Sequence, residues 1–351
     1  MIDLSTQRYA LLALAAAALF GASTPLAKLL QADIAPALLA GLLYLGSGAG
    51  LALVKLALRF GRHTAEPPLR ASDLPWLAGA VASGGIAAPL LLMWGLAGAS
   101  ASGVSLLLNL EGILTALFAA LVFKEAVAAR IWLAVCLMFA AGVLLGYDPR
   151  PGFGVSPRTL AVIAACALWA LDNNLTRRIS AADPVNIALI KGLAAGGVNI
   201  AAAFAYGASL PGALPLAGAL ALGWLSYGIS LVLYIVALRH LGSARAAAHF
   251  STAPFIGAAL AIALLHEPAT DAFVAAFLLM LAGTWLALTE RHGHAHQHEA
   301  LVHEHLHTHD AHHRHAHRGD EGPEPHSHPH RHEPIAHSHP HLPDLHHRHP
   351  H

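Results

Sequence analysis

The chain has 351 residues, of which 56% are hydrophobic and only 11% are charged, and its formal net charge is zero. Soluble domains usually carry about 25% charged residues, so this composition excludes an ordinary soluble protein. The sequence has no basic stripe with interleaved aromatic residues, and nucleic-acid binding is therefore not expected.

The composition divides the chain into two parts. Residues 1–290 are dominated by Ala, Leu, Gly and Val, whereas residues 291–351 contain almost no large apolar side chains. All but four of the 27 histidines lie in the second part. We therefore expect a membrane-embedded body followed by a disordered, histidine-rich tail over residues 291–351.

The body contains enough long apolar runs for ten membrane-spanning helices. A helix needs about 20 apolar residues to cross the hydrocarbon core of a bilayer. The first run is too long for the core of a signal peptide, so we expect it to remain as a helix. The predicted spans cover residues 8–30, 34–58, 74–97, 100–122, 128–147, 158–179, 184–206, 214–238, 243–265 and 269–289.

Basic residues in the loops predict the orientation, because cytoplasmic loops carry an excess of Lys and Arg. If the N-terminus is cytoplasmic, the outside loops hold only Arg150 and Arg158. The even number of spans then places the tail in the cytoplasm as well. The basic residues of the inside segments are Arg8, Arg59, Arg62, Arg70, Lys124, Arg130, Arg177, Arg178, Arg239, Arg245 and Arg291.

The two halves of the body, residues 8–147 and 158–290, resemble each other. Ser105–Val127 (SLLLNLEGILTALFAALVFKEAV) aligns with Ala247–Ala269 (AAHFSTAPFIGAALAIALLHEPA), and both runs have an acidic residue close to the end, Glu125 and Glu267. Leu19–Lys28 (LFGASTPLAK) aligns with Leu168–Arg177 (LWALDNNLTR). Five spans in each half would insert the halves in opposite senses, which predicts an inverted repeat with a site between the halves near the midplane.

These segments resemble the EamA-type members of the drug/metabolite transporter superfamily. The resemblance is carried by NLEGILTALFAALVFKE, by the LFGASTPLAK opening and by the two five-span halves, and it covers residues 8–290. It implies ten helices, a central cavity and transport of a small molecule, and members with histidine-rich segments are linked to nickel and cobalt efflux. Gly112 stands where the family often has proline, which leaves the expected bend of the fourth helix open.

Four polar residues inside the spans are candidates for the substrate or coupling-ion cavity: Glu111, Asn109, Asp172 and His249. Glu111 lies halfway along the fourth span, where a carboxylate costs about 2.5–3.5 kcal/mol unless it is protonated, paired or facing water. It could bind a proton or a cation, or it could be a structural carboxyl group. Asp172 could pair with an arginine or line the cytoplasmic mouth, whereas Lys191 is expected to extend towards the membrane surface.

The tail alternates histidine with other residues, which favours metal binding. Neutral imidazole is a ligand for Ni²⁺, Co²⁺, Zn²⁺ and Cu²⁺, and alternate residues of an extended chain lie on one side of it. The predicted ligands are His292, His294, His296, His298, His303, His305, His307 and His309. The other interpretation is a solvated tail that responds to pH.

We therefore predict a secondary transporter in the bacterial inner membrane, with both termini cytoplasmic, that exports a small metabolite or a divalent transition metal (Ni, Co or Zn) by proton coupling. The alternative is a membrane-anchored metal store or sensor that does not transport. No enzymatic activity and no required cofactor are expected, since the sequence has no nucleotide-binding P-loop and the membrane body has no H-E-x-x-H motif. The expected partners are the lipid bilayer and the substrate. The G-x-x-x-G segments of the second and seventh spans are expected to serve close helix packing, with homodimerisation as the alternative.

Overall fold

The computed structural model describes residues 4–58, 69–123, 129–147, 155–179, 182–241, 243–289, 293–298, 301–307, 326–332 and 335–340. The described part of the body consists mainly of helices. Its helices are α1 (Leu4–Gly21), α2 (Ser23–Leu30), α3 (Pro36–Leu58), α4 (Leu74–Ala80), α5 (Ala88–Ala97), α6 (Ala101–Leu107), α7 (Leu110–Phe123), α8 (Ala129–Gly146), α9 (Pro157–Arg177), α10 (Pro184–Ala205), α11 (Ala213–Gly223), α12 (Ser230–Leu241), α13 (Ser243–Phe250), α14 (Ala253–Leu265) and α15 (Asp271–Leu288), with a 3₁₀ turn at Ala71–Asp73 and π-helical segments at Val81–Ala87 and Trp224–Ile229.

The described helices form ten spans that are long and apolar enough to cross a membrane, which confirms the predicted number. We number them in chain order. Span 1 combines α1 and α2, span 3 runs from the 3₁₀ turn to α5, and spans 4, 8 and 9 each combine two helices. Their bounds are Gln7–Leu30, Pro36–Leu56, Ala71–Ala97, Ala101–Phe118, Ala129–Gly146, Pro157–Arg177, Pro184–Ala205, Ala213–Leu238, Arg245–Leu265 and Asp271–Leu288.

Spans 1, 4 and 9 are interrupted near their middles. Span 1 breaks at Ala22 and span 9 at Ser251–Thr252, in each case two to three residues before a proline, Pro25 or Pro254. Proline has no N–H and clashes with the preceding turn, so it starts a helix more readily than it continues one. Span 4 breaks at Leu108–Asn109 without a proline, so Gly112 does not prevent the interruption.

Glycines bring the backbones of spans 2 and 7 into direct contact. A Cβ atom at Gly192 would lie 2.7 Å from the Gly48 nitrogen, and one at Gly196 would lie 2.6 Å from the Leu45 nitrogen. Real Cβ atoms do not approach backbone this closely, so only glycine permits this helix spacing. The G-x-x-x-G segment of span 7 therefore serves packing within the chain, as small residues do between membrane helices.

The contacts between spans follow one scheme. Spans 2 and 7, spans 4 and 9, and spans 5 and 10 pack against each other. Span 1 contacts spans 8 and 9, and span 6 contacts spans 3 and 4. Each of these contacts has a counterpart in the other half. Replacing the number of each span by that of the span five positions away in chain order gives the same set of contacts.

The tail contains four strands, β1 (Gly293–His298), β2 (Leu301–His307), β3 (His326–His332) and β4 (Ile335–Pro340). β1 pairs with β4 and β2 pairs with β3, both antiparallel. This differs from the predicted disordered tail. The alternation of histidine with other residues has the period of two that belongs to a strand, which provides a physical reason for the difference.

Candidate functional site

Glu111 lies deep inside the bundle, in the first turn of α7. It is ten residues from the start of span 4, about 15 Å along a helix that rises 1.5 Å per residue. The break at Leu108–Asn109 makes Leu110 the first residue of α7, so the carboxylate is near a helix N-terminus, where negative charge is favoured. Its side chain is partly exposed.

Asn173 of span 6 is the hydrogen-bond partner of Glu111. Its amide Nδ2 donates to Glu111 Oε1 at 2.9 Å and to Thr115 Oγ1 at 3.2 Å. The Thr115 hydroxyl in turn donates to the Glu111 carbonyl at 2.8 Å. The neighbouring Asn174 donates to the carbonyls of Ala170 and Thr115 at 2.8 and 3.2 Å. Two adjacent amides thus join span 6 to the N-terminal half of α7.

Asp172 forms an ion pair with Lys191 of span 7. The other carboxylate oxygen, Oδ1, accepts a hydrogen bond from the Thr176 hydroxyl at 3.0 Å. Asp172 is 3% exposed, and Gly84 of span 3 packs so closely that a Cβ there would overlap the carboxylate. The sequence left open whether Asp172 pairs with an arginine or lines the cytoplasmic mouth. In the structure it pairs with a lysine. Lys191, predicted to extend towards the surface, points into the bundle.

The π-helical segment of span 3 supplies an acceptor to the same region. The Gly84 carbonyl accepts hydrogen bonds from the Tyr44 hydroxyl at 2.6 Å and from Trp169 Nε1 at 2.9 Å. A π-helical turn changes the i→i−4 ladder and is often found at functional sites. The Gly84–Gly85 pair shortly before Pro89 was the sequence signal that could have indicated this feature.

Aromatic rings from four spans lie around this polar region. The Tyr227 ring is 5.8 Å from Tyr44 and 5.7 Å from Phe20, and the Phe20 ring is 5.5 Å from Phe250. The Tyr44 hydroxyl is bonded to the Gly84 carbonyl, and Gly84 packs against the Asp172 carboxylate. The region therefore combines a carboxylate with apolar ring surfaces, an arrangement suited to a ligand with a positive charge and an apolar body.

The other two predicted cavity residues lie apart from these contacts. Asn109 donates to the Leu106 carbonyl at 3.0 Å and accepts from Thr284 of span 10 at 3.4 Å. It therefore occupies the break of span 4 and faces span 10. His249 is hydrogen-bonded through Nδ1 to the Arg245 carbonyl one turn earlier, at 2.6 Å.

The predicted metal ligands lie in the tail. His292 and His309 fall outside the described residues, and the other six lie in β1 and β2. Within the described part of the chain no group of three or more His, Cys, Asp or Glu residues is placed to hold a metal ion.

A second polar set lies where the turn between spans 3 and 4 meets the neighbouring spans. The Glu267 carboxylate accepts from the backbone N–H groups of Ala101 and Ser102 at 2.7 and 2.8 Å. The Lys28 ammonium donates to carbonyls at the end of span 3, including that of Leu96 at 2.6 Å. Glu267 thus caps the N-terminus of α6, whereas Glu125, the acidic residue near the end of the aligned run, lies outside the described residues.

Comparisons with known proteins agree on the class of protein. The model of the EamA-like transporter family matches residues 7–147 and again residues 158–289. An uncharacterized transporter of Methanothermobacter thermautotrophicus is 28% identical over 211 residues, which are 57% of this chain and 60% of that protein. The chain thus spans less than two thirds of that relative's length. A solved crystal structure, 21% identical, superposes with a TM-score of 0.59 over 80% of this chain and 98% of its own, which shows the fold.

Proposed function

Since the chain belongs to the EamA-like transporter family, we propose that this integral membrane protein is a proton-coupled secondary exporter of a small metabolite that carries a positive charge. The observation that carries the proposal is Glu111, a partly exposed carboxylate in the middle of a span, hydrogen-bonded by one neutral amide. A carboxylate facing lipid at this depth would be costly, so we place it towards a water-accessible space between the helices. The neighbouring rings of Tyr44 and Tyr227 would contact the apolar part of the substrate.

We also propose that the two halves are inverted repeats and that the site lies where they meet. Two observations support this: the same family model matches each half, and the span contacts recur under exchange of the halves. In this arrangement Glu111 comes from the first half, and Asn173, Asp172 and Lys191 come from the second. Movement of one half relative to the other would expose the site to the two sides of the membrane in turn.

The proposal is tested by replacing Glu111 with glutamine. Glutamine keeps the size and an oxygen that can accept from Asn173 but cannot exchange a proton. We expect Glu111→Gln to fold and to lose proton-driven export of monovalent organic cations from proteoliposomes. Asp271→Asn is the matched control, since Asp271 is an exposed carboxylate at the start of span 10 and its loss should leave export intact. Normal export by Glu111→Gln would make the residue structural and would contradict the proposal.

The second candidate function is metal binding by the tail, as a store, a sensor or a delivery element for a Ni²⁺, Co²⁺ or Zn²⁺ substrate. The strand register favours it, because histidines oppose histidines along both ladders: His294 with His339, His296 with His337, His303 with His330, His305 with His328 and His307 with His326. Paired histidines on neighbouring strands resemble the nitrogen-rich sites that these metals prefer. Uptake of radioactive Ni²⁺ into inverted vesicles, with and without the tail, distinguishes transport from storage.

A further inference from the structure

The charges inside the bundle form one group. Twelve described Asp, Glu, Lys and Arg residues lie within the ten spans, and nine of them are within two residues of a span end. Only Glu111, Asp172 and Lys191 lie five or more residues from both ends. These three residues belong to three different spans, yet they lie together: Asp172 pairs with Lys191, and Asn173, the next residue after Asp172, donates a hydrogen bond to Glu111.

The two carboxylates of this group have different surroundings. Asp172 is almost fully buried, contacts the Lys191 ammonium and the Thr176 hydroxyl, and is enclosed by Gly84. Glu111 is partly exposed, and only its Oε1 atom receives a hydrogen bond from a described side chain. Asp172 is therefore already neutralised by a cation of the protein, whereas no ion pair among the described residues involves Glu111.

Among the described residues, Tyr44, Tyr227 and Cys166 are further titratable groups of this region. Phenols and thiols are uncharged near neutral pH, so they do not change the charge of the group. Two carboxylates and one ammonium leave a single net negative charge when all three are ionised. One proton or one monovalent cation at Glu111 makes the group neutral.

From this geometry we infer that Lys191 is a specificity-determining residue, which restricts the site to one positive charge: a proton or the charged head of a monovalent organic cation. This inference rests on the proposed function and adds the charge of the substrate and the exchange ratio. A dication at Glu111 would leave a net positive charge beside the Lys191 ammonium, and in a low-dielectric interior such repulsion is strong. One proton leaves Glu111 when one monovalent cation arrives, so the exchange moves no net charge.

Two flat two-ring probes that differ by one charge test the inference: methylphenylpyridinium, with one positive charge, and methyl viologen, with two. The protein is reconstituted into proteoliposomes, and probe uptake is measured with the accompanying proton flux. We expect uptake of the monocation at a ratio of one proton, independent of membrane potential, and a preference over the dication of about tenfold or more. Lys191→Met removes the internal cation and should shift this preference towards the dication by a similar factor, whereas Lys191→Arg should keep it.

Two further variants keep the test decisive if Lys191→Met leaves too little folded protein. Asp172→Asn leaves Lys191 opposite Glu111 with no net negative charge, so uptake of the monocation should be lost. The double variant Asp172→Asn/Lys191→Met restores a single negative charge and should regain both uptake and the preference for the monocation. A folded double variant without monocation uptake would overturn the inference, as would an unchanged charge preference in Lys191→Met.

If the unmodified protein takes up neither probe, the proposed function fails together with the inference. If it takes up the monocation in a manner dependent on Glu111 but Lys191→Met behaves identically, only the inference fails.

Discussion

The contact between spans 2 and 7 predicts how the stability of the protein changes when one methyl group is added to a glycine of span 7. Replacing Gly192 with alanine would place a Cβ 2.7 Å from the Gly48 nitrogen, 2.8 Å from the Gly48 Cα and 2.9 Å from the Tyr44 carbonyl oxygen. All three atoms belong to the backbone of span 2, so no side chain can rotate away. The two helices would have to separate by several tenths of an ångström along their shared contact.

The magnitude follows from two opposing effects. Alanine is favoured over glycine inside a helix by about 0.5–1 kcal/mol. Overpacking of a well-packed interface costs typically about 1–3 kcal/mol. Gly192→Ala should therefore be destabilising by about 1–2 kcal/mol. Gly197, five residues along the same helix, has nothing within 4 Å of the position that an added Cβ would occupy, so Gly197→Ala should be stabilising by about 0.5–1 kcal/mol.

Thermal unfolding of the two purified variants in one detergent provides the measurement. The midpoint should fall for Gly192→Ala and should rise for Gly197→Ala. Equal midpoints would refute the close backbone contact between spans 2 and 7. A lower midpoint for both would show that glycine matters in this helix for a reason other than the contact.

Three further predictions concern a cap, the tail and the orientation. Glu267→Gln should lower the unfolding midpoint, because it weakens two charge-assisted hydrogen bonds worth about 1–2 kcal/mol together at this partly exposed position; an unchanged midpoint would contradict the capping role. A chain that ends at residue 290 should fold normally but lose Ni²⁺ binding at neutral pH, and the full chain should release Ni²⁺ as the pH falls below about 6.5, where free imidazole becomes protonated. A reporter fused after His351 should be active only if it is of a cytoplasmic type, and activity of a periplasmic type would reverse the proposed topology.

The spans could be predicted from the sequence because the requirement is one-dimensional. Crossing the bilayer needs a length of apolar helix, and length is read directly along the chain. The first span was predicted at residues 8–30 and is found at Gln7–Leu30, and the eighth was predicted at 214–238 and is found at Ala213–Leu238. The helix breaks before Pro25 and Pro254 were equally predictable, since proline acts on its own preceding turn.

The partners of the charged residues could not be predicted in this way. Lys191 was expected to reach the surface because it lies only one or two turns inside its span, whereas its partner Asp172 is 19 residues away on the preceding span. The break of span 4 was expected to depend on the residue at position 112. It occurs instead at Asn109, whose side chain donates to the Leu106 carbonyl and competes with the helical backbone pattern. The Asp172–Lys191 pair depends on which helix lies opposite, and the sequence does not contain that information locally.

The alignment of the two halves indicates why the charges are found where the halves differ. Asp172 and Asn173 align with Ser23 and Thr24, and Glu111 aligns with Ala253. A second set of these residues at the related positions would place two more carboxylates in the bundle interior, where each added charge raises the cost of the others. Both halves keep the same helix arrangement, but only one set of these charged groups is present. This avoids the cost of a second set and leaves one place for a cation. On this argument Ala253→Glu should reduce folded protein unless a partner amide is supplied, and the double variant Ala253→Glu/Thr24→Asn, which copies the Glu111–Asn173 contact, should recover part of the loss. Equal yields of the single and double variants would show that the relation between the halves does not extend to this contact.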